Sequence, residues 1–322
     1  MESQQLLNIS HLKTYFYTFR GTVKAIDDLC LTVQPRESVG LVGESGCGKS
    51  SVALSIMRLV PPPGRIVEGK ISLLERQLLK LTDEEMRQIR GKDMSMIFQD
   101  PMTFLNPVMK VKDQIADVIM LHHGKTKQEA RKDSLKMLSM VQIPSPERVA
   151  DYYSHQLSGG MRQRVVIGAA LACRPSLLIA DEPTTALDVT VQAQILHLMK
   201  ELIKSTGTSL LLITHDLGIV ADMCDRVYVM YAGKAVESGN VHLIYGRPAH
   251  PYTQGLLQAV LSIDEFKEKI VTIEGVVPDL VNPPKGCRFH PRCSQAIDKC
   301  KEQEPLMIEL GRDHRVACWL YK

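Results

Sequence analysis

The sequence predicts an α/β fold in which buried strands alternate with helices, and three observations support this fold class. Residues 39–42 (VGLV) form a short apolar run that is followed by a glycine-rich loop and a helical pattern. Two further apolar runs, residues 177–180 and 209–214, each lead directly into charged or imidazole side chains. Residues 110–121 and 127–141 carry apolar side chains at spacings of three and four, which is typical of amphipathic helices.

Composition excludes several classes of protein. The 322 residues are 44% hydrophobic and 23% charged, which is ordinary for a globular protein. The net charge of +3 is too small to indicate a nucleic-acid binder. No apolar run approaches the length of a membrane span, and the polar N-terminus does not have the pattern of a signal peptide. We therefore expect a cytosolic chain that reaches a membrane only through a partner.

The glycine-rich loop, residues 43–50 (GESGCGKS), has the pattern of a phosphate-binding loop. It lies between an apolar strand and a helical stretch, which is the context that such a loop requires. Glycines let backbone N–H groups turn toward a phosphate chain, and the helix N-terminus adds partial positive charge. Lys49 should reach the β- and γ-phosphates, and the Ser50 hydroxyl should bind Mg²⁺. The loop predicts that a nucleoside triphosphate binds.

Polar side chains end three of the predicted strands. Asp181 and Glu182 close the apolar strand at residues 177–182, where one carboxylate can hold Mg²⁺ and the other can activate a water. His215 ends another strand, and its imidazole N–H could contact the γ-phosphate. Gln99 follows the strand at residues 94–98. Two adjacent acids at the end of an apolar strand are hard to explain as packing.

The remaining segments have weaker patterns. Residues 6–33 alternate apolar and polar side chains in places and predict an antiparallel β layer that contains the aromatic cluster at residues 15–17. A charged helix is predicted at residues 82–90, and a helical insertion extends from residue 103 to about residue 154. Prolines break the pattern beyond residue 231, so residues from 235 onward are interpreted as a C-terminal extension.

A second glycine pair follows Ser158, in residues 157–164 (LSGGMRQR), and a helix follows it. A hydroxyl and two glycines at a helix start form a second phosphate-binding device. One nucleotide does not need two such loops from one chain. The sequence therefore predicts a head-to-tail dimer in which this turn closes on the ATP of the other subunit.

In this order, the phosphate loop, Gln99, residues 157–163, residues 177–182, residues 187–188 and His215 resemble the ATP-binding cassette (ABC) ATPases. The resemblance covers most of residues 5–240. It implies a P-loop ABC nucleotide-binding domain at residues 1–240, with a RecA-like core, an antiparallel β subdomain and a helical subdomain at about residues 103–160. Residues 241–322 would be a small cysteine-rich extension typical of oligopeptide and dipeptide transporters.

The resemblance also implies roles for individual residues. Hydrolysis would use Glu182, His215 and Gln99, and Mg²⁺ would be held by Ser50, Gln99 and Asp181. The ATP of the partner subunit would be contacted by Ser158, Gly159, Gly160, Gln163 and Asp188. The chain's own ATP would be bound by Phe16, Gly43, Glu44, Ser45, Gly46, Cys47, Gly48, Lys49, Ser50, Ser51 and Gln99. The segment after Phe16 is longer than is usual in the family, so the adenine-stacking aromatic could be Tyr15, Phe16 or Tyr17.

Further motifs look like the ATP-binding subunits of dipeptide and oligopeptide importers. They are residues 97–102 (IFQDPM), 106–107, 180–194 and 250–253 (HPYT). Met161 and the pair Thr184-Thr185 are similar to the D-type subunit rather than its F-type sister. ATP would close two ATPase subunits, hydrolysis would let them reopen, and the helical region after Gln99 would pass this movement to the membrane subunits.

This resemblance implies a complex at the cytoplasmic face of the membrane. It would contain two permease subunits, a sister F-type ATPase or a second copy of this chain, and an external solute-binding protein. The predicted function is the ATPase of a di- or oligopeptide importer. The alternatives are the ATPase of a nickel or sugar importer of the same subfamily, or a soluble ABC regulatory protein outside transport. The substrate cannot be inferred from this chain because other subunits select it.

Four of the eight cysteines, Cys287, Cys293, Cys300 and Cys318, lie near the C-terminal end and are separated by five, six and seventeen residues. Disulfides do not suit a reducing compartment, and none of the spacings matches a zinc ribbon or finger. Four thiolates could bind a [4Fe–4S] cluster or Zn²⁺, and free thiols are a third interpretation. The D-type resemblance favours the [4Fe–4S] cluster, because some members of the family carry one in this tail.

Overall fold

The computed structural model describes residues 5–99, 104–185, 187–264 and 273–321. Residues 100–103 and 186, which belong to the motifs quoted above, lie outside the described residues. The chain divides into two compact units. Within the described residues, the first unit comprises residues 5–6, Gln34–Glu37 and Lys80–Leu211, and the second comprises Leu7–Val33, Ser38–Leu79 and residues from 212 onward.

The second unit contains a four-stranded antiparallel sheet that includes the predicted β layer. Its strands are β1 (Leu7–Thr18), β2 (Gly21–Val33), β4 (Gly64–Leu73) and β5 (Arg76–Gln77), in the order β2-β1-β4-β5. Buried and partly exposed side chains alternate along much of β1, as expected for a strand with one face on a core. The sheet thus places the aromatic cluster on β1.

The second unit also contains strands that flank the phosphate loop. They are β3 (Ser38–Val42), β9 (Arg226–Tyr231), β10 (Lys234–Asn240), β11 (Ile308–Gly311) and β12 (His314–Val316). Their order is β11-β12-β10-β9-β3, with β3 parallel to β9 and the other pairs antiparallel. The helices of this unit are α1 (Lys49–Ile56), α8 (Leu217–Met223), α9 (Val241–Gly246), α10 (Pro251–Asp264) and α11 (Asp298–Glu302).

The first unit combines two parallel strands with a helical layer. Strands β6 (Met94–Ile97) and β7 (Leu177–Asp181) pair in parallel. Strand β8 (Ser209–Thr214) contains the point at which the chain passes from the first unit to the second. The helices are α2 (Asp83–Ile89), α3 (Val111–His123), α4 (Lys127–Met140), α5 (Pro146–Val149), α6 (Gly159–Leu171) and α7 (Val189–Thr206).

The starts of α2 and α4 are fixed by capping boxes. Thr82 and Thr126 each accept a hydrogen bond from the backbone N–H three residues later, where Glu85 and Glu129 return the contact. The first-turn acids of the predicted helix at residues 82–90 therefore have a structural role. Among the described residues, no helix combines the length and apolarity needed to cross a bilayer.

The C-terminal residues join the sheet of the second unit. Strand β12 pairs with β10, with Val316 opposite Glu237. The Glu237 carboxylate is fully buried and accepts hydrogen bonds from the backbone N–H groups of Ala249 and His250 and contacts the His314 ring. These contacts satisfy a charge that would otherwise be costly to bury. The domain boundary at residue 240 stays a prediction.

Candidate active site

The phosphate loop connects β3 to α1 through three glycines that other residues could not replace. A Cβ on Gly43 would lie 2.2 Å from the Met230 carbonyl oxygen, and one on Gly48 would lie 2.1 Å from the Ala25 carbonyl oxygen. Gly48 has φ of 106° and Gly46 has φ of 79°, which are left-handed conformations. Gly46 is exposed with open space around its Cα. The glycines therefore let the loop pack closely on one side and stay open on the other.

Lys49 is buried at the start of α1 and holds the loop together. Its Nζ donates to the carbonyl oxygens of Gly43 at 2.7 Å and Glu44 at 3.0 Å. The neighbouring Cys47 is fully buried, and burial raises the pKa of its thiol, so it stays protonated. Ser45 and Ser50 are exposed and Ser51 is partly exposed. The loop thus presents hydroxyls and backbone N–H groups, with an ammonium beneath them.

The three aromatic candidates on β1 have different environments. The Tyr15 hydroxyl donates to the Asp27 carboxylate at 2.7 Å. Phe16 is partly exposed and packs against Gly64, where a Cβ would lie 2.6 Å from its ring. Tyr17 is 48% exposed. The assignment of Phe16 as the adenine-stacking residue stays a prediction.

In the first unit, the ends of β6 and β7 bring two predicted catalytic residues together. Gln99 Nε2 donates to Glu182 Oε2 at 3.1 Å, and Thr185 Oγ1 donates to the same oxygen at 2.9 Å. Glu182 has φ of 45°, a left-handed conformation that is rare outside glycine and tends to occur at functional sites. Asp181 is buried as the last residue of β7. The carboxylate of Glu182 is thus held in one position by two donors.

The serine–glycine turn lies at the N-terminus of α6 and is exposed. Ser158 caps the helix by accepting a hydrogen bond from the Met161 N–H at 3.3 Å. A Cβ on Gly160 would lie 2.8 Å from Val191 Cγ1, next to the start of α7. Asp188 caps that helix by accepting from the Val191 N–H at 3.0 Å. The structure therefore brings together two exposed helix N-termini from the residues that the sequence assigned to a partner's ATP.

Gln163 lies beneath this turn rather than on its surface. Its side chain is 1% exposed, and its Nε2 donates to the Pro183 carbonyl oxygen at 2.5 Å. Within the described part of the chain, its Oε1 is buried without a hydrogen-bond partner. This contact ties the first turn of α6 to the segment that follows Glu182. Its predicted role toward a partner's ATP stays a prediction.

His215 follows β8 and is exposed, in the second unit with the phosphate loop. The next residue, Asp216, caps α8 by accepting a hydrogen bond from the Ile219 N–H. The structure thus groups Gln99, Asp181 and Glu182 in one unit and the phosphate loop in the other. Roles that need residues of both units stay predictions.

ATP and Mg²⁺ fit the residues that the structure presents. A phosphate chain requires an open glycine loop at a helix N-terminus, and the open side of Gly46 and the exposed Ser45 provide one. Mg²⁺ prefers oxygen ligands, and the exposed Ser50 hydroxyl beside the loop is of that type.

The predicted metal centre in the C-terminal segment is wrong. The structure describes all four cysteines, Cys287, Cys293, Cys300 and Cys318. Among the described residues, no group of three or more His, Cys, Asp or Glu side chains could hold a metal ion. Burial raises the pKa of Cys287 to about 11, and burial likewise raises the pKa values of Cys293 and Cys318. In the absence of a metal, thiols in such surroundings stay protonated. All four are free cysteines that form no such group, so the structure supports neither a [4Fe–4S] cluster nor Zn²⁺ there.

Three contacts of the site were missed in the sequence. Thr185 holds Glu182, whereas the sequence indicated it only as part of the Thr184-Thr185 pair after the strand-end acids. The Tyr252 hydroxyl accepts a hydrogen bond from the Glu44 N–H at 2.9 Å, and the Arg292 guanidinium pairs with the Glu44 carboxylate. Tyr252 and Arg292 lie more than 200 residues from Glu44 along the chain, and no sequence pattern connects such distant positions.

Comparison with known proteins gives first the class and then the family. A family profile described as "ABC transporter" matches residues 26–185, which contain the phosphate loop, Gln99 and Glu182. The ATP-binding cassette MJ0796, solved as a dimer in a post-hydrolysis state bound to ADP and Pi, superposes with a TM-score of 0.66 at 26% sequence identity. The superposition covers 73% of this chain and 98% of that one. The chain is therefore an ATPase of the ATP-binding cassette class.

A second profile, "Oligopeptide/dipeptide transporter, C-terminal region", matches residues 236–300. The oligopeptide transport ATP-binding protein AppD of Bacillus subtilis is 48% identical over 98% of this chain and 97% of its own length. The dipeptide transport ATP-binding protein DppD of the same organism is also 48% identical, over 98% of this chain and 95% of its own length. OppD of Salmonella typhimurium is 48% identical over 94% and 90%. The chain belongs to the ATP-binding subunits of oligopeptide and dipeptide ABC transporters.

Proposed function

We propose that this chain hydrolyses ATP to power the import of di- and oligopeptides through an ABC transporter. The observation that carries the proposal is the identity of 48% with peptide-transport ATP-binding proteins over 98% of the chain. The contacts around Glu182 support the ATPase part, because a carboxylate held by two donors is suited to orient a water. A nickel or sugar importer, or a soluble regulatory protein, is not favoured because these relatives are named for peptide transport.

We propose the roles of the site residues on the basis of the family assignment. The phosphate loop, with Lys49, binds the triphosphate, and Phe16 stacks on adenine. Ser50, Gln99 and Asp181 would hold Mg²⁺, which neutralises phosphate charge when bound. Glu182 accepts the proton of the attacking water, and His215 donates a hydrogen bond to the γ-phosphate. The exposed turn at Ser158, Gly159 and Gly160, with Asp188, contacts the ATP held by a second ATPase subunit.

We propose the assembly on the same basis. The chain lies at the cytoplasmic face of the cell membrane as a peripheral subunit. It pairs with an F-type sister ATPase or a second copy of itself, and two permease subunits carry the peptide. A solute-binding protein outside the membrane delivers the peptide, so substrate selection belongs to other chains.

The test is peptide uptake by proteoliposomes that contain the complete transporter. Both donors to Glu182 bind the same carboxylate oxygen, Oε2, so the amide oxygen of glutamine can accept both bonds. Glu182→Gln should therefore keep the geometry and lose the base. We expect ATP-driven uptake and phosphate release to fall at least about 100-fold, the range of one general base, with ATP binding retained.

The matched control is Glu201→Gln, the same change at an exposed position of α7. Uptake should stay at the wild-type rate in this variant. Wild-type liposomes that hydrolyse ATP but accumulate no di- or oligopeptide would contradict the transport assignment. Undiminished phosphate release by Glu182→Gln would contradict the catalytic one.

A further inference from the structure

Arg292, a residue of the C-terminal segment, binds the phosphate loop of this chain. The Arg292 guanidinium donates from Nη1 to Glu44 Oε2 at 2.6 Å and from Nη2 to Glu44 Oε1 at 3.0 Å. This is the parallel two-bond geometry in which arginine binds carboxylates most strongly. The Arg292 side chain is 5% exposed and that of Glu44 is 26% exposed. A contact this well shielded is only weakly screened by salt.

Other partners also fix the position of the Arg292 guanidinium. Its remaining N–H groups donate to the Tyr231 hydroxyl, to the Ile273 carbonyl and, from Nε, to the Glu274 carbonyl at 2.9 Å. All five donors of the group are therefore used. The hydrogen bonds to Glu44 also raise the pKa of Arg292 above its ordinary value, so the charge is permanent.

Further contacts fix the surroundings of this pair. The Glu44 N–H donates to the hydroxyl of the fully buried Tyr252 at 2.9 Å, and the Tyr252 ring packs 5.3 Å from Phe289. Four residues before Arg292, the Arg288 side chain forms an ion pair with Asp27. The Asp27 carboxylate also accepts a hydrogen bond from the Tyr15 hydroxyl. The turn that carries Arg292 is thus anchored independently of Glu44.

Glu44 lies within the glycine loop that binds the triphosphate in the proposed function. A carboxylate at that position opposes a highly charged anion unless a cation offsets it. We propose that Arg292 is a positioning residue for ATP binding, which acts through Glu44 by neutralising its charge and holding the phosphate loop in its binding conformation. The C-terminal segment then sets the affinity of the chain for nucleotide.

The test is titration of the purified full-length chain with a fluorescent ATP analogue, alongside its melting temperature without nucleotide. Arg292→Gln leaves the Glu44 carboxylate unpaired, and the dissociation constant should rise about tenfold, as for the loss of one charge-assisted hydrogen bond. Arg292→Gln combined with Glu44→Gln removes the unpaired charge as well. This double variant should return to within about threefold of wild type, because the two residues act as one unit.

The matched control is Arg315→Gln, which breaks an exposed ion pair with Glu309 in the same segment and should leave the dissociation constant unchanged. A merely structural role for Arg292 predicts a lower melting temperature with unchanged affinity, or no rescue in the double variant, and either result overturns the inference.

If Arg292→Gln does not fold, Arg292→Lys keeps the charge without the two-bond geometry and should weaken binding about threefold. Unchanged affinity of Arg292→Lys also overturns the inference. Failure of the wild-type chain to bind the analogue would instead contradict the proposed function.

Discussion

At the scale of single residues, His250 makes the stability of the second unit depend on pH. Its ring is 1% exposed, and burial lowers its pKa to about 3. The neutral ring accepts a hydrogen bond at Nδ1 from the Tyr252 N–H at 3.0 Å, and Tyr252 in turn holds Glu44. In the unfolded chain the same histidine takes up a proton at its ordinary pKa near 6.5. The unfolded state therefore binds more protons than the folded state below that pH.

We predict that His250→Asn flattens this dependence. Since the folded pKa lies below the unfolded one, stability is retained above pH 6.5 and lost as pH falls from 6.5 toward 3, at up to about 1.4 kcal/mol per pH unit. Asparagine does not titrate, and its side-chain oxygen can replace Nδ1 as the acceptor. Urea unfolding at pH values between about 6.5 and 4.5, a window above the ordinary pKa values of the carboxylates, measures the difference.

The control for this prediction is His197→Asn, because His197 is an exposed histidine on α7. Its variant should show the wild-type pH dependence. Equal slopes for wild type and His250→Asn would mean that another group carries the proton uptake. His122 is the alternative, since burial also lowers its pKa.

At the scale of elements, two helices of the first unit begin with the same kind of cap but differ in their proposed function. Ser158 and Thr126 each cap a helix of the first unit, because each side chain accepts a hydrogen bond from the backbone N–H three residues later. Ser158 belongs to the exposed turn assigned to a partner's ATP, whereas Thr126 starts α4 within the helical region. The two residues therefore offer the same structural change with and without a proposed ligand.

We predict that Ser158→Ala and Thr126→Ala each cost about 1 kcal/mol of unfolding free energy, the usual value for a lost N-cap. Only Ser158→Ala should lower ATP hydrolysis by the assembled transporter, roughly tenfold, because it also removes a hydrogen bond to phosphate. Denaturant unfolding and phosphate release measure the two effects separately. Equal hydrolysis by both variants would show that Ser158 is only a cap.

The same scale explains what the sequence could and could not predict. The α4 pattern at residues 127–141 corresponds to Lys127–Met140, and the run at residues 209–214 is β8, because periodicity and burial are local properties. Strand β12 has only three residues and pairs with β10, more than seventy positions earlier, and no local signal specifies such pairing. The cysteine spacing likewise suggested a metal centre, but spacing does not specify where thiols point.

Within the candidate site, the chemistry was more predictable than the contacts that support it. Gln99 and Glu182 follow parallel strands β6 and β7, whose carboxyl ends meet, so their hydrogen bond could be anticipated. The left-handed backbone of Glu182 and the bond from Thr185 depend on the tertiary environment. Arg292 was missed for the same reason, because its partner Glu44 lies in a distant part of the chain.

At the scale of the whole molecule, we expect the exposed turn at residues 158–160 and the neighbouring Asp188 to bind a ligand from another subunit as well as cap α6 and α7. Two helix N-termini facing solvent are suited to an anion brought by another subunit. The similar cassette MJ0796 was solved as a dimer. ATP bound between two subunits would contribute contacts to both, so nucleotide should favour the paired state by mass action.

We predict that Glu182→Gln, which retains ATP, pairs in its presence and gives twice the chain mass of 36.0 kDa in light scattering after gel filtration. Adding Ser158→Glu should return the mass to that of one chain, since a carboxylate there would repel the partner's phosphates. Ser139→Glu, the same change at an exposed position near the end of α4, should leave pairing intact. A single-chain mass for Glu182→Gln with ATP, converted to a pair only by adding the sister ATPase, would establish the heterodimer. A single-chain mass under both conditions would contradict the pairing of two subunits around ATP, and with it the role given to Ser158.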